Sequence, residues 1–168
     1  LLGDAPIQVN NTVNLGFLGA VPIVGLIHGQ LGAWMDEIRF IDTTLRDGHQ
    51  SLWAEGMWTG MILPIASQMD RAGFEAIEIF SGSFLKKAIR EFREDVWERI
   101  RLVRQRITKT PLRAIHGRHF IDFQIRPASV SNLWVERLAA NGIRELRLSD
   151  PSNTVANWRK MVRTAREV

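Results

Sequence analysis

Five side chains able to bind, orient or titrate fall between Asp42 and Gln50, in the stretch FIDTTLRDGHQS (40–51): Asp42, Arg46, Asp47, His49 and Gln50. A carboxylate at the end of a strand suits a hard divalent cation. A neighbouring guanidinium can hold a carboxylate or stabilise an enolate oxygen as charge develops on it. An amide can orient either group. The same residue types also fit a plainer role, in which Asp–Arg pairs tie a loop to its scaffold, and composition does not choose between the two. Further titratable residues stand at or near the ends of later apolar segments: Glu78, His116 and Asp150.

The segments that must position these residues alternate in type from Met35 onward. IRFID (38–42) reads as a short buried strand opening on Phe40 and Ile41, followed by a polar loop. MWTGMILPIASQMDRAG (57–73) has helical spacing and ends on Gly73, a favourable residue just past a helix. FEAIEIF (74–80) alternates with period two. Residues 83–107 carry amphipathic helical stretches, with Ile100, Val103 and Ile107 on one face and arginines on the other. PLRAIHG (111–117) is a third strand, 127–142 a helix closing at Gly142, IRELRLSD (143–150) a fourth strand, and a final helix starts near Val155. Helices between successive strands imply parallel pairing and right-handed crossovers. About four βα units therefore stand between Met35 and Val168, the spacing of half a (β/α)₈ TIM barrel, whose eight units take about 250 residues. An open doubly wound sheet is the alternative, but no strand leads into a GxGxxG or GxxxxGK turn.

Composition narrows the class. The 168 residues are 45% hydrophobic and 24% charged, as in an ordinary globular α/β domain. Lys and Arg number 22 against 18 Asp and Glu, a net charge of +4 without a long single-sign block, so no nucleic-acid partner is expected. The chain has no cysteine, which excludes disulfides, thiolate metal sites and Cys nucleophiles and fits a cytoplasmic location. The Lys- and Arg-rich run from Lys86 to Arg113 reads as the solvated face of outer helices, and the tryptophans as packing residues. Residues 1–34 are apolar but broken by Asn14, Pro22, His28 and several glycines, which argues against a membrane span. They are expected to be an extension outside the fold, with Met35 a natural start and 35–168 the partial barrel. The first residue is Leu1 and Val168 lies inside an amphipathic helix pattern, so a fragment of a longer protein is expected.

DTTLRDGHQS resembles the signature of the pyruvate carboxyltransferase-like superfamily of metal-dependent (β/α)₈ barrels. His49, Gln50, Ser51 and Leu52 are similar to its biotin-dependent branch, and EDVWERIR (94–101) is similar to that branch's EDPWERLR, with Val96 in place of proline. The resemblance spans most of Phe40 to Val168. It implies that Asp47 ligates a divalent metal ion (Zn, Mn, Mg or Co), that Arg46 and Gln50 contact a 2-oxo acid substrate and act in catalysis, and that Asp42 and His49 support them. It also implies that biotin, carried as carboxybiotin on a separate carrier domain, gives or accepts the carboxyl group, and that the full-length protein is an oligomer.

Departures from the branch pattern fall on the implied pocket. IHG replaces LRG and puts His116 where an arginine is usual, while SDPSNT replaces FDALND but keeps Asp150 and Asn153. His116 and Asp150 are accordingly expected to bind a substrate that need not be pyruvate. None of the four histidines forms the His-x-His pair of the family, so the chain alone is expected to be inactive. The alternatives are a biotin-independent lyase, a Claisen-type condensing enzyme on the same barrel, and a barrel homologue that has lost the chemistry.

Overall fold

The computed structural model of the chain describes residues 8–9, 38–121 and 124–168. Their strands are β1 (Gln8–Val9), β2 (Ile41–Asp42), β3 (Ala76–Ser81), β4 (Leu112–His116) and β5 (Glu145–Leu148), in one sheet of order β1-β5-β4-β3-β2. Every pairing is parallel. Helices α1 (His49–Trp53), α2 (Thr59–Asp70), α3 (Phe84–Lys87), α4 (Val96–Arg106), α5 (Ala128–Ala140) and α6 (Val155–Glu167) connect or follow the strands. The expected order of βα units is thus the observed one.

Local chemistry sets the helix limits. The Glu94 carboxylate accepts from the backbone N–H and hydroxyl of Thr59 at 2.8 and 2.7 Å, which starts α2 from across the chain. Gly73 takes a left-handed φ of 80° after α2, as its position suggested. Asp95 caps α4 by accepting from the Trp97 N–H at 2.9 Å. The region 83–107 is not one continuous helix: α3 runs into a wide helical turn, Ala88–Phe92, and the left-handed Arg93 (φ 55°) breaks the chain before α4.

The core lies between helices and sheet. Ile62 and Ala66 of α2, Ile100 and Val103 of α4, and Leu138 of α5 bury against Ile77, Leu112, Ala114 and Leu146 of the strands. Trp134 is buried against Trp97, Phe80 and Phe120 at ring separations of 5.1, 6.0 and 5.1 Å. Among the described residues no helix is long and apolar enough to cross a membrane.

Three expectations need correction. The first strand is shorter than IRFID, and Phe40 is 67% exposed rather than buried. β2 lies at an edge of the sheet and pairs with β3 alone among the described residues, none of which covers Phe40. The loop after it is helical: the Asp42 carboxylate accepts from the Thr44 N–H and hydroxyl, and the Thr43 carbonyl then accepts from the Arg46, Asp47 and Gly48 N–H groups. The arginine run is not wholly a solvated face, because Arg99 and Arg113 are buried. Arg99 lies 4.3 Å above the Phe84 ring and donates to the Met57 carbonyl.

Two residues of the segment expected to stand outside the fold, Gln8–Val9, pair with Glu145 and Leu146 at the opposite edge of the sheet. The remainder of residues 1–34, including the proposed boundary at Met35, lies outside the described residues.

Candidate active site at the carboxyl ends of the strands

The helical turn Thr44–Gly48 follows β2 directly and carries Arg46 on its buried side. Arg46 is buried, although arginine is among the residues least often found inside a protein. Its Nε donates to Glu78 Oε1, and its Nη1 donates to Asp47 Oδ1 at 2.9 Å. Glu78 is fully buried in the middle of β3, at a register shift between Glu78 and Phe80. Its Oε2 lies 3.4 Å from Arg147 Nε and 3.8 Å from Arg113 Nε. One carboxylate is therefore shared among three guanidiniums. Glu145 extends the cluster: burial raises its pKa and the charge of Arg113 opposes the rise.

Glu78, Arg113, Glu145 and Arg147 bring formal charge into strands that parallel sheets normally fill with aliphatic side chains. The expected site contained none of them except Glu78, noted only as a titratable strand residue. Their signal in the sequence was charge within otherwise apolar strands, EIF, LRAI and ELRL.

Asp42 shapes the turn by accepting from Thr44. His49 is buried and sits edge-on to Phe84 at 4.9 Å, and burial lowers its pKa. Its Nε2 has no hydrogen-bond partner among the described residues, while hydrogen bonds to the backbone of Glu55 and Leu45 oppose the lowering. Asp47 is 54% exposed at its side chain and ion-paired to Arg46. It offers one hard oxygen donor. No group of three or more His, Asp or Glu residues able to hold a metal occurs among the described residues, so these residues do not by themselves make a metal site.

An open cavity of about 170 Å³, which shares Ser81 with the small recess that contains Arg46, is lined by Gln50, Ser81, Ser83, His116, His119 and Ser149, with Phe120 and Ile115. Gln50 and His116 thus line the same cavity. Ser81 closes β3 and also lines the small recess that contains Arg46. His116 ends β4; its Nε2 is 3.0 Å from Ser131 Oγ on α5, and burial pushes its pKa down to about 4. Asp150 is held elsewhere. Arg118 donates to both its oxygens, at 2.5 and 3.1 Å, and the Ser152 N–H donates at 3.0 Å. The hydrogen bond from Arg118 holds the Asp150 carboxyl below its ordinary pKa. Asp150 therefore clasps the loop after β4 to the loop after β5, with its oxygens already engaged.

Two glycines allow this mouth to close up. A Cβ on Gly82 would lie 1.9 Å from the Phe120 carbonyl oxygen, and one on Gly117 would lie 1.8 Å from that of Ser149.

No protein-family model matches the chain. Known proteins do. A pyruvate carboxylase subunit of Methanocaldococcus jannaschii is 36% identical over 132 residues, covering 78% of this chain and 23% of that one. The carboxyl transferase domain of Rhizobium etli pyruvate carboxylase, solved with pyruvate, superposes with a TM-score of 0.73 at 32% identity over 77% of this chain and 22% of that one. The chain belongs to the pyruvate carboxyltransferase-like superfamily. Its fold is α/β and corresponds to the N-terminal half of that TIM barrel. Within the superfamily, the 2-oxoglutarate carboxylase large subunit of Hydrogenobacter thermophilus is a further relative, 30% identical over 138 residues, covering 82% of this chain and 21% of its own. The chain thus spans less than a quarter of the length of these relatives.

Proposed function

We propose that this chain supplies the substrate-holding half of a biotin-dependent carboxyltransferase acting on a 2-oxo acid. The observation that carries this reading is Arg46, a buried guanidinium fixed by Glu78 at the end of β2 and neighboured by Gln50 on the cavity wall. Nε and Nη1 of Arg46 are committed to Glu78 and Asp47, which leaves Nη2 for an oxygen of the substrate. As C3 of the 2-oxo acid gives up its proton to a base supplied from outside the described residues, negative charge develops on the C2 oxygen. A preorganised cation in a dry recess stabilises that charge far better than water does. The enolate carbon can then form the C–C bond to a carboxyl group. Gln50 holds the acid in line for this step. Biotin on a carrier domain would supply or take the carboxyl group, and the open mouth of the cavity gives it access. Asp47, exposed beside Arg46, would be one of several donors to a divalent metal, the rest coming from outside the described residues. The 168-residue chain alone is accordingly expected not to turn over.

The test is a chimera in which residues 38–168 replace the matching part of the Methanocaldococcus jannaschii relative, assayed for exchange of carboxyl between oxaloacetate and pyruvate. Arg46→Ala is expected to lower exchange by about 10²-fold or more. Arg46→Lys should not restore it, because an ammonium lacks the planar fork. Wild-type exchange in a folded Arg46→Ala chimera would refute the assignment, and wild-type exchange in Asp47→Ala would remove the metal role from Asp47.

A further inference from the structure

Three guanidiniums meet the Glu78 carboxylate, and they differ in how far solvent reaches them. The side chains of Arg113 and Arg46 are 2% and 8% exposed, whereas that of Arg147 is 37% exposed. The Nε of Arg147 is buried 3.4 Å from Glu78 Oε2, while its Nη1 and Nη2 stay accessible and make no hydrogen bond among the described residues. Arg147 also stands in a row of side chains that reaches the cavity. Ser81 is in register with Ile115, and Ile115 with Arg147. Register neighbours in a parallel sheet point to the same face, and Ser81 and Ile115 both line the cavity.

Charge in this cluster is unbalanced. Buried Glu78 and Glu145 face three guanidiniums, and Asp47 is 54% exposed and already paired with Arg46. Burial lowers the pKa of Arg147 against the pull of Glu78, and the like charges of Arg46 and Arg113 lower it further. A carboxylate at the Nη atoms would supply the missing negative charge. The cavity lining itself offers no cation. It contains no Arg or Lys, and His116 is neutral at pH 7 because burial pushes its pKa down to about 4.

We infer that Arg147 holds the carboxylate of the 2-oxo acid, beside the C2 oxygen held by Arg46. This rests on the reading of Arg46 given above and adds to it the cation for C1. The two carbons are bonded to each other, so the group that takes the carboxylate must adjoin the group that takes the C2 oxygen. Glu78 provides that adjacency, because Arg46 Nε donates to its Oε1 and Arg147 Nε lies against its Oε2. Nη1 and Nη2 of Arg147 form the planar pair of donors that a carboxylate accepts in parallel. Pyruvate and oxaloacetate both carry this head, so one residue serves both partners of the exchange.

The experiment compares pyruvate with pyruvamide, which keeps the C2 oxygen and replaces the carboxylate by a neutral amide. Binding is read by calorimetry on the chimera of the exchange assay. The wild-type chimera is expected to bind pyruvate at least about tenfold more tightly than pyruvamide, and Arg147→Gln should erase that preference by weakening pyruvate alone. Arg46→Ala should weaken both compounds. A preference that survives in Arg147→Gln, or that is absent from the wild type, overturns the role of Arg147. Loss of the preference in Arg147→Gln, with Arg46→Ala binding both compounds as the wild type does, would keep Arg147 and overturn the role of Arg46. Should Arg147→Gln fail to fold, modification of the wild-type chimera by phenylglyoxal decides, read at Arg147 by mass spectrometry. Saturating pyruvate is expected to protect Arg147 and pyruvamide to leave it reactive. Modification that pyruvate leaves unchanged, or that pyruvamide blocks equally, overturns the proposal.

Discussion

Glu78 answers to Arg46, Arg113 and Arg147 from a position with no exposure to solvent. Replacing it by Gln keeps its shape and removes the one carboxylate these guanidiniums share. Breaking a buried ion pair from one side leaves charge uncompensated, so Glu78→Gln is expected to lower unfolding stability by about 3–5 kcal/mol, measured by urea denaturation. His116 gives a pH signature. Its folded pKa of about 4 lies below the ordinary imidazole value, so the unfolded chain binds more protons between pH 4 and about 6.5. Stability is therefore full above about 6.5 and falls as the pH drops towards 4, by about 3 kcal/mol from this group. Burial lowers His49 in the same direction. In His116→Phe the slope of stability against pH across this window should shrink; an unchanged slope would remove His116 as its source. The positions of Arg46, Gln50 and His116 at or after strand ends were legible in the sequence because strand ends can be located there. Arg113 and Glu145 were not, because one strand gives no hint of which charges its neighbours will set opposite it. The pairing of Asp150 was not legible for a related reason: its partner Arg118 lies 32 positions away, and no spacing rule announces such a pair.

At the level of elements, Asp70 shows how a helix end can organise a distant loop. It is the last residue of α2 and accepts from the backbone N–H groups of Thr108, Lys109 and Thr110, which lead into β4. Burial opposes its charge, yet these bonds win and hold its carboxyl far below the usual carboxylate range. Asp70→Ala is expected to cost about 2–4 kcal/mol and to unlock amide exchange at residues 108–110. Because the folded pKa is depressed, this contribution is present above the ordinary carboxylate pKa and fades as the pH falls below it. The helices with a regular apolar face or a closing glycine, α2, α4 and α5, were visible in the sequence to within a few residues. The helical turn after β2 was not, because Asp, Thr and Gly there also suit an open loop, and the choice falls to Asp42 and Thr43 bonding inward.

For the molecule as a whole, the consequential feature is a parallel sheet with two edges. One edge is β2, flanked by the exposed Ile38 and Phe40. The other carries Gln8–Val9 against β5. Unpaired parallel edges invite pairing with another chain. Deleting residues 1–37 should therefore increase self-association at micromolar concentration, read by analytical ultracentrifugation; an unchanged sedimentation profile would show that the Gln8–Val9 pairing protects nothing. The half-barrel order was readable because helices between strands force parallel crossovers. The edge pairing was not, because the composition of residues 1–34 carries no strand pattern.

The two glycines at the mouth have a bearing on how such a barrel could change its diet over time. Gly82 and Gly117 press the backbone of one loop directly onto the carbonyl of the next. Immediately before each stands a residue that faces the cavity, Ser81 and His116. Scaffold and preference are thus written in adjacent letters, with the contact made by main chain alone. A lineage can exchange the letter at 81 or 116 and meet a new substrate while the wall that holds it stays where it was. Alteration of Gly82 or Gly117 would instead move the wall for every substrate at once.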